Sequence, residues 1–188
     1  GSEGIASRVL TRGQLRWNYT AIHPDVYFAK DAPRDIMTNA AAAWLWTRRR
    51  GILAGEAAAA LHGVSAVADE PTVAMIGQHC SRRPGIIVRV ERITTDEVQS
   101  IAGMPVTSPA RTALDLARRL PRDAAVVLLD QLAAVTHVED RHAAALMDHH
   151  PGARGIPRAA VALALMDGGT RCPEETRLRL RFHDAGLH

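Results

Sequence analysis

The side chains with the clearest chemistry in this 188-residue sequence are arginines. Arg12 and Arg16 lie four apart, with Trp17 beside them, in a segment that reads as a helix. Residues at that spacing share a helix face, so two guanidiniums would point the same way with an indole adjacent. A guanidinium presents a planar fork of N–H donors that matches phosphate oxygens, so the chemistry on offer is contact with a nucleic-acid backbone. Arg48, Arg49 and Arg50 make a second cluster. Both groups also have a plainer reading. Basic residues in the last turn of a helix are favoured by its dipole alone, and Arg12 and Arg16 suit a solvated face with Trp17 packed on its neighbours. The distribution of charge favours phosphate. Residues 1–50 hold seven arginines and one lysine against four acidic residues, a net charge of +4, whereas the rest of the chain nets −1. A phosphate-binding surface is therefore expected at the N-terminal end. Arg12, Arg16, Trp17, Arg48, Arg49 and Arg50 are its candidate DNA-binding residues.

The histidines and cysteines offer no comparable set. His149 and His150 are adjacent, so they point apart, and no carboxylate or cysteine cluster of zinc spacing accompanies them. They read as loop surface, and no metal site is expected. His62 reads as a structural histidine at a helix end. His79-Cys80-Ser81-Arg82-Arg83 reads as an exposed hairpin loop with no partner motif. Cys80 and Cys172 fit neither a disulfide framework nor a zinc site. No catalytic residues and no cofactor are expected of this chain.

The composition bounds the class. Hydrophobic residues make up 47% and aromatic residues 4%, so the core must be built from alanine, leucine, valine and isoleucine. No apolar run approaches the ~20 residues that span a bilayer, and no signal peptide is visible at the start. Gly1-Ser2 is set aside as a cloning remnant. These features predict a cytoplasmic protein with no membrane partner.

The elements that must position these residues follow from spacing and caps. Residues 3–10 read as a short helix with Ile5 and Val9 inward. Thr11 and Gln14 form a capping box for a second helix carrying Arg12, Arg16 and Trp17. Residues 19–28 read as strand with a turn at His23-Pro24-Asp25. Asp35 to Arg50 has helical spacing, with Gly51 as its left-handed cap. Glu56 to His62 is an alanine-rich helix ended by Gly63. Residues 71–76 and 85–90 read as strands, and residues 95–100 as a helical turn. The central stretch runs from Gly103 to Arg119: a strand or turn, then Ser108 as N-cap, Pro109 at the first helical position, and a helix closed by Leu120-Pro121. Arg111 can pair with Asp115, and Asp115 with Arg119. Helices over 122–135, 137–147 and 157–166 follow. Gly168-Gly169-Thr170 reads as a hinge before a last helix from Pro173, with Leu178, Phe182 and Ala185 as its apolar stripe.

The segment Pro105-Val106-Thr107-Ser108-Pro109-Ala110-Arg111-Thr112-Ala113-Leu114-Asp115-Leu116 resembles a segment of actinobacterial proteins similar to AbiEi-type antitoxins. Three further segments resemble the same family in the same order: Ala54 to Gly63, His150 to Gly155, and Cys172 to Leu180. The resemblance covers most of the chain. It implies an α+β, helix-rich fold with a winged-helix-like N-terminus, a small sheet with packed helices, and a terminal helix. It also implies a DNA-binding protein that acts as a repressor or neutralises a toxin partner. One departure is that no clear recognition helix separates Trp17 from Tyr19, so base-specific reading is not expected. Many such proteins carry a second domain like the very-short-patch-repair endonucleases, of PD-(D/E)XK type. The Cys172–Gly186 segment resembles that domain's first helix, with Glu175 at its recurrent glutamate and Cys172 where serine is usual. The metal-bearing strands that would follow are not in this sequence, so Mg²⁺ is implied only for a longer chain. The expected organisation is residues 1–34 as the winged-helix-like segment, 35–169 as the central domain, and 170–188 as the start of a truncated endonuclease-like domain. Two alternatives remain beside the DNA-binding regulator: the DNA-targeting portion of an endonuclease, and a protein-interaction scaffold. The last helix is expected to be weakly anchored, with Leu178 and Phe182 exposed or buried against a second copy in a homodimer.

Overall fold

The computed structural model describes residues 1–33, 35–67, 73–77, 83–170 and 172–187. The fold is α+β and helix-rich. Helix α1 (Ser2–Ala6) and helix α2 (Arg12–Asn18) lead into an antiparallel hairpin of β1 (Tyr19–His23) and β2 (Val26–Ala29). The Thr11–Gln14 capping box is present: the Thr11 hydroxyl accepts from the Gln14 N–H at 3.1 Å, and the Gln14 side chain accepts from the Thr11 N–H at 2.9 Å. Helix α1 stops at Ala6 because Arg8 takes a positive φ, and it buries no residue; Val9, expected inward, is 74% exposed.

Helix α3 (Ile36–Trp46) starts on Asp35, whose carboxylate accepts from the Thr38 N–H at 2.8 Å. It ends earlier than expected. The left-handed residues that turn the chain are Arg48 and Arg49, at φ 55° and 62°, and not Gly51. Gly51 serves packing instead: a Cβ there would lie 2.3 Å from the Met75 Cε. The chain then enters a five-stranded sheet of order β5-β4-β3-β7-β6. Strand β3 (Ile52–Ala54) runs straight into the alanine-rich helix α4 (Gly55–Leu61). Strands β4 (Val73–Ile76) and β5 (Ile86–Arg89) pair in parallel, with Val73 opposite Ile86. The hairpin expected between them is therefore not formed, since a hairpin joins antiparallel strands. Residues 78–82, with His79, Cys80 and Arg82, lie outside the described residues, as do Pro71 and Thr72.

The helical turn expected over 95–100 is a single 3-10 turn, Thr95–Glu97, followed by β6 (Val98–Ile101). Strand β6 pairs antiparallel with β7 (Met104–Thr107), which places Val106 opposite Leu53 of β3. From β7 the chain passes through Ser108 into α5 (Pro109–Arg119), as the caps predicted. Helices α6 (Arg122–Thr136), α7 (Asp140–His149), α8 (Ile156–Ala164) and α9 (Pro173–Asp184) complete the fold. His137, expected inside a helix, is the left-handed cap of α6 at φ 59°.

Two apolar clusters meet at α4. Its Ala57, Ala58 and Leu61 pack with Leu53, Met75 and Val106 of the sheet, while Ala59 joins Leu114, Leu129, Leu132 and Leu163 among the helices. Methyl-sized side chains allow both layers to approach the same short helix. Helix α5 is enclosed by α4, α6, α7 and α8, so every residue from Arg111 to Arg118 is buried. That enclosure decides the fate of its charges.

Candidate nucleic-acid interface

Helix α2 presents Arg12, Arg16 and Trp17 to solvent. Trp17 is 72% exposed, so it is not the packed indole of the plainer reading, and the Arg16 guanidinium lies 6.0 Å from its ring centroid. An arginine held over an indole keeps its outward N–H groups available. Arg48, Arg49 and Arg50 are exposed on the turn after α3. Arg49 is committed: it donates to both Glu3 oxygens at 2.9 and 3.0 Å and lies 5.9 Å from the Trp44 ring centroid. This pair ties the turn to α1. The hairpin meets α3 where His23 approaches Trp46, with ring centroids 6.0 Å apart. Burial, and then the charge of Arg83, hold the His23 pKa below its usual value. Arg12, Arg16, Arg48 and Arg50 make no ion pair among the described residues. No hydrogen bond or ion pair joins α2 to the Arg48–Arg50 turn among them either.

The arginines of the body are used differently. Arg111, 1% exposed, donates to Asp115 at 3.2 Å, to Glu91 at 2.9 Å, to the Arg92 carbonyl at 3.3 Å and to Glu97. Arg118 donates to Asp115 at 2.8 and 3.0 Å and to Glu91, and Arg119 also donates to Glu91. The expected pairing of Asp115 with Arg119 is thus replaced by one with Arg118, because Arg118 shares the enclosed face of Arg111 and Asp115. His150 is not loop surface: its Nε2 lies 2.9 Å from Glu97, and its side chain is 9% exposed. His149, by contrast, is exposed at the end of α7. Burial would raise the Glu97 carboxyl, but hydrogen bonds from Arg111, Thr94 and His150 outweigh it and hold the pKa low. Glu91 is likewise held low by Arg118 and Arg119 against the effect of burial. Burial would lower the Arg111 pKa, but the charges of Asp115 and Glu97 raise it on balance.

Two further polar groups fix the helices. His62 Nε2 meets the Thr107 carbonyl at 2.8 Å, the structural role expected of it. Asp130 is buried on α6 and accepts from the Thr176 hydroxyl and the Arg179 Nη2, each at 2.8 Å, and from the Asp167 N–H at 2.7 Å. With Leu180 in the helical core, these contacts dock α9 firmly by a face other than the expected stripe. Leu178 and Phe182 remain 53% and 49% exposed. Glu175 closes the first turn of α9, accepting from the Cys172 N–H at 3.3 Å. Among the described residues no three His, Cys, Asp or Glu side chains gather as metal ligands.

Residues 40–165 match the family described as the AbiEi antitoxin C-terminal domain. This chain belongs to that family. Two curated relatives, recorded for two strains of Mycobacterium tuberculosis, are the uncharacterized proteins MT2308 and Rv2248. Each is 31% identical over 132 residues, covering 69% of this chain and 48% of the relative, so the chain spans about half the length of the relatives it matches. No solved structure matches the chain significantly. In this AbiEi-family chain the matched range holds α4, α5 and the Arg111 network, while Arg12, Arg16 and Trp17 precede it and Glu175 follows it. No helix of the described residues is long and apolar enough to cross a membrane.

Sequence reasoning missed Glu91, Glu97 and His150 as partners of Arg111, and Arg118 as the second cation on Asp115 and Glu91. One signal was available: Arg111, Asp115 and Arg118 stand at i, i+4 and i+7, the spacing of a core-facing stripe.

Proposed function

We propose that this chain is a DNA-binding, antitoxin-type regulator that grips the duplex backbone with its N-terminal arginines. The observation that carries this is the density of free guanidiniums at the N-terminal end. Arg8, Arg12, Arg16, Arg48 and Arg50 are exposed and make no ion pair among the described residues. Arg111, Arg118, Arg119, Arg122 and Arg179 of the body each neutralise a carboxylate, whereas Arg89, Arg92 and Arg154 do not, so among the described residues the free guanidiniums are densest in residues 1–50. Unpaired guanidiniums release counterions when they meet phosphates, which gives affinity that falls with salt and tolerates sequence. Trp17 beside Arg16 adds a flat apolar surface against the sugar–phosphate edge. Family membership supports a toxin as the protein partner. Fluorescence anisotropy of a labelled duplex at two salt concentrations tests the reading, with Arg12→Ala/Arg16→Ala as the comparison. Absence of wild-type binding at low salt would sink it.

A second reading, a protein-interaction surface, is favoured by α9. Leu178, Phe182 and Leu187 are exposed together beside a docked, well-anchored helix face, and an apolar patch of this kind marks an interaction site. A second copy of the chain is the partner we assign to it. Sedimentation of the wild type and of Leu178→Asp/Phe182→Asp distinguishes a dimer from a monomer.

A further inference from the structure

We propose that the cleft between the 90–92 segment and the 149–154 loop binds a free nucleotide through its phosphates. The cleft has a volume of about 540 Å³, within the roughly 300–1,000 Å³ of small-ligand sites. Its lining divides into two kinds. Val90, Leu114 and Pro151 are apolar, and Val90 is 71% exposed with nothing packed over it. Arg92, Arg119 and Arg154 are cationic. Arg92 and Arg154 are exposed and make no ion pair among the described residues. Arg119 keeps 28% side-chain exposure and shares Glu91 with two other guanidiniums.

The charge balance favours an anion. Five arginines line the cleft, the buried Arg111 and Arg118 among them, against Glu91 at the wall and Glu97 and Asp115 behind it, leaving a net charge of +2. Arg89 adds to this. It lines the adjoining cleft that shares Glu91 and Arg119 and makes no ion pair among the described residues. Burial first, and then the neighbouring Arg119, lower its pKa against the opposing charges of Glu91 and Asp115. Guanidiniums in this number fit phosphate oxygens through charge-assisted hydrogen bonds. The apolar half fits a flat base, and the volume suits one nucleotide. His150 fixes the loop, because its bond to Glu97 holds the start of the 149–154 segment against the α5 network. The inference stands apart from the DNA-binding reading, since its arginines belong to a different part of the chain.

Equilibrium dialysis of the full chain at low salt with ATP, GTP and pyrophosphate tests it. The expected result is saturable binding of a nucleotide, weaker binding of pyrophosphate, and at least an about tenfold loss in Arg92→Ala/Arg154→Ala, since each charge-assisted bond contributes on that order. Arg12→Ala/Arg16→Ala should bind nucleotide as the wild type does. Val90→Asp, a change at an exposed position that places negative charge in the cleft, should also weaken binding about tenfold, and it serves if the double variant misfolds. Absence of saturable nucleotide binding overturns the proposal. So do unchanged affinity in folded Arg92→Ala/Arg154→Ala or Val90→Asp, and pyrophosphate binding as tightly as both nucleotides.

Discussion

Replacing Arg111 by methionine is the sharpest test of how the charges hold the fold. Arg111 is enclosed and bonded to Glu91, Glu97 and Asp115 at once. Methionine fills much of the volume and removes the charge. Glu91 then keeps Arg118 and Arg119, and Asp115 keeps Arg118. Glu97 keeps the Thr94 hydroxyl at 2.8 Å, the Thr94 N–H at 3.4 Å and His150, which is charged only when protonated. One buried carboxylate is left without a fixed cation. Breaking a buried pair in this way costs about 3–5 kcal/mol, a large share of the ~5–15 kcal/mol that holds a domain together. Urea unfolding at pH 7 measures it. Adding Glu97→Gln to Arg111→Met should restore part of the loss, because it removes the orphaned charge. A loss under about 1 kcal/mol, or no rescue by Glu97→Gln, would refute the reasoning that the network is a single coupled unit.

The pH dependence follows from the same groups. Glu91 and Glu97 are held below the usual carboxyl range, so their stabilisation is present above the unfolded value of about 4.3 and is lost as pH falls through their folded values; acid titration followed by circular dichroism should show unfolding that begins below about pH 5. Asp130→Ala should remove the anchor of Thr176 and Arg179 and cost about 1–3 kcal/mol, and limited proteolysis should then cut near residues 168–172 far faster than in the wild type. Arg48→Gly should stabilise the fold by about 1 kcal/mol, since a non-glycine residue at φ 55° is strained, while weakening duplex binding; thermal unfolding and anisotropy read the two effects.

Much of the fold was legible where local chemistry acts alone. The Thr11–Gln14 box, the Ser108 cap and Pro109 fixed helix starts from neighbouring residues, and the structure carries each of them. The end of α3 was not legible, because three consecutive arginines gave no sign that two of them would adopt positive φ and leave Gly51 to packing. The parallel pairing of β4 with β5 was hidden for a related reason: two short apolar runs nine residues apart read the same in a hairpin and in a crossover. The Arg111 network was hidden because charges on a helix read as a solvated face, and the i, i+4, i+7 spacing of Arg111, Asp115 and Arg118 fits a solvated stripe as well as an enclosed one until the packing of α4, α6, α7 and α8 around α5 is known. His150 was misread with it, since its partner Glu97 lies 53 residues away in sequence. The exposed arginines of α2 and of the turn after α3 were legible from charge distribution, though which of the three would be tied up was not; Glu3 takes Arg49.

The salt dependence of duplex binding tests the central claim most directly. Affinity is measured across a series of salt concentrations for the wild type, for Arg12→Ala/Arg16→Ala, and for Arg177→Ala, whose guanidinium is paired with Glu174 on α9 at 3.0 Å. Two lost phosphate contacts should lower the slope of log affinity against log salt by about two units, with weakening on every duplex sequence, while Arg177→Ala leaves the slope unchanged. A wild type that fails to bind at low salt, or a double variant with the wild-type slope, would contradict the account and leave the α9 surface as the better guide to what this chain does.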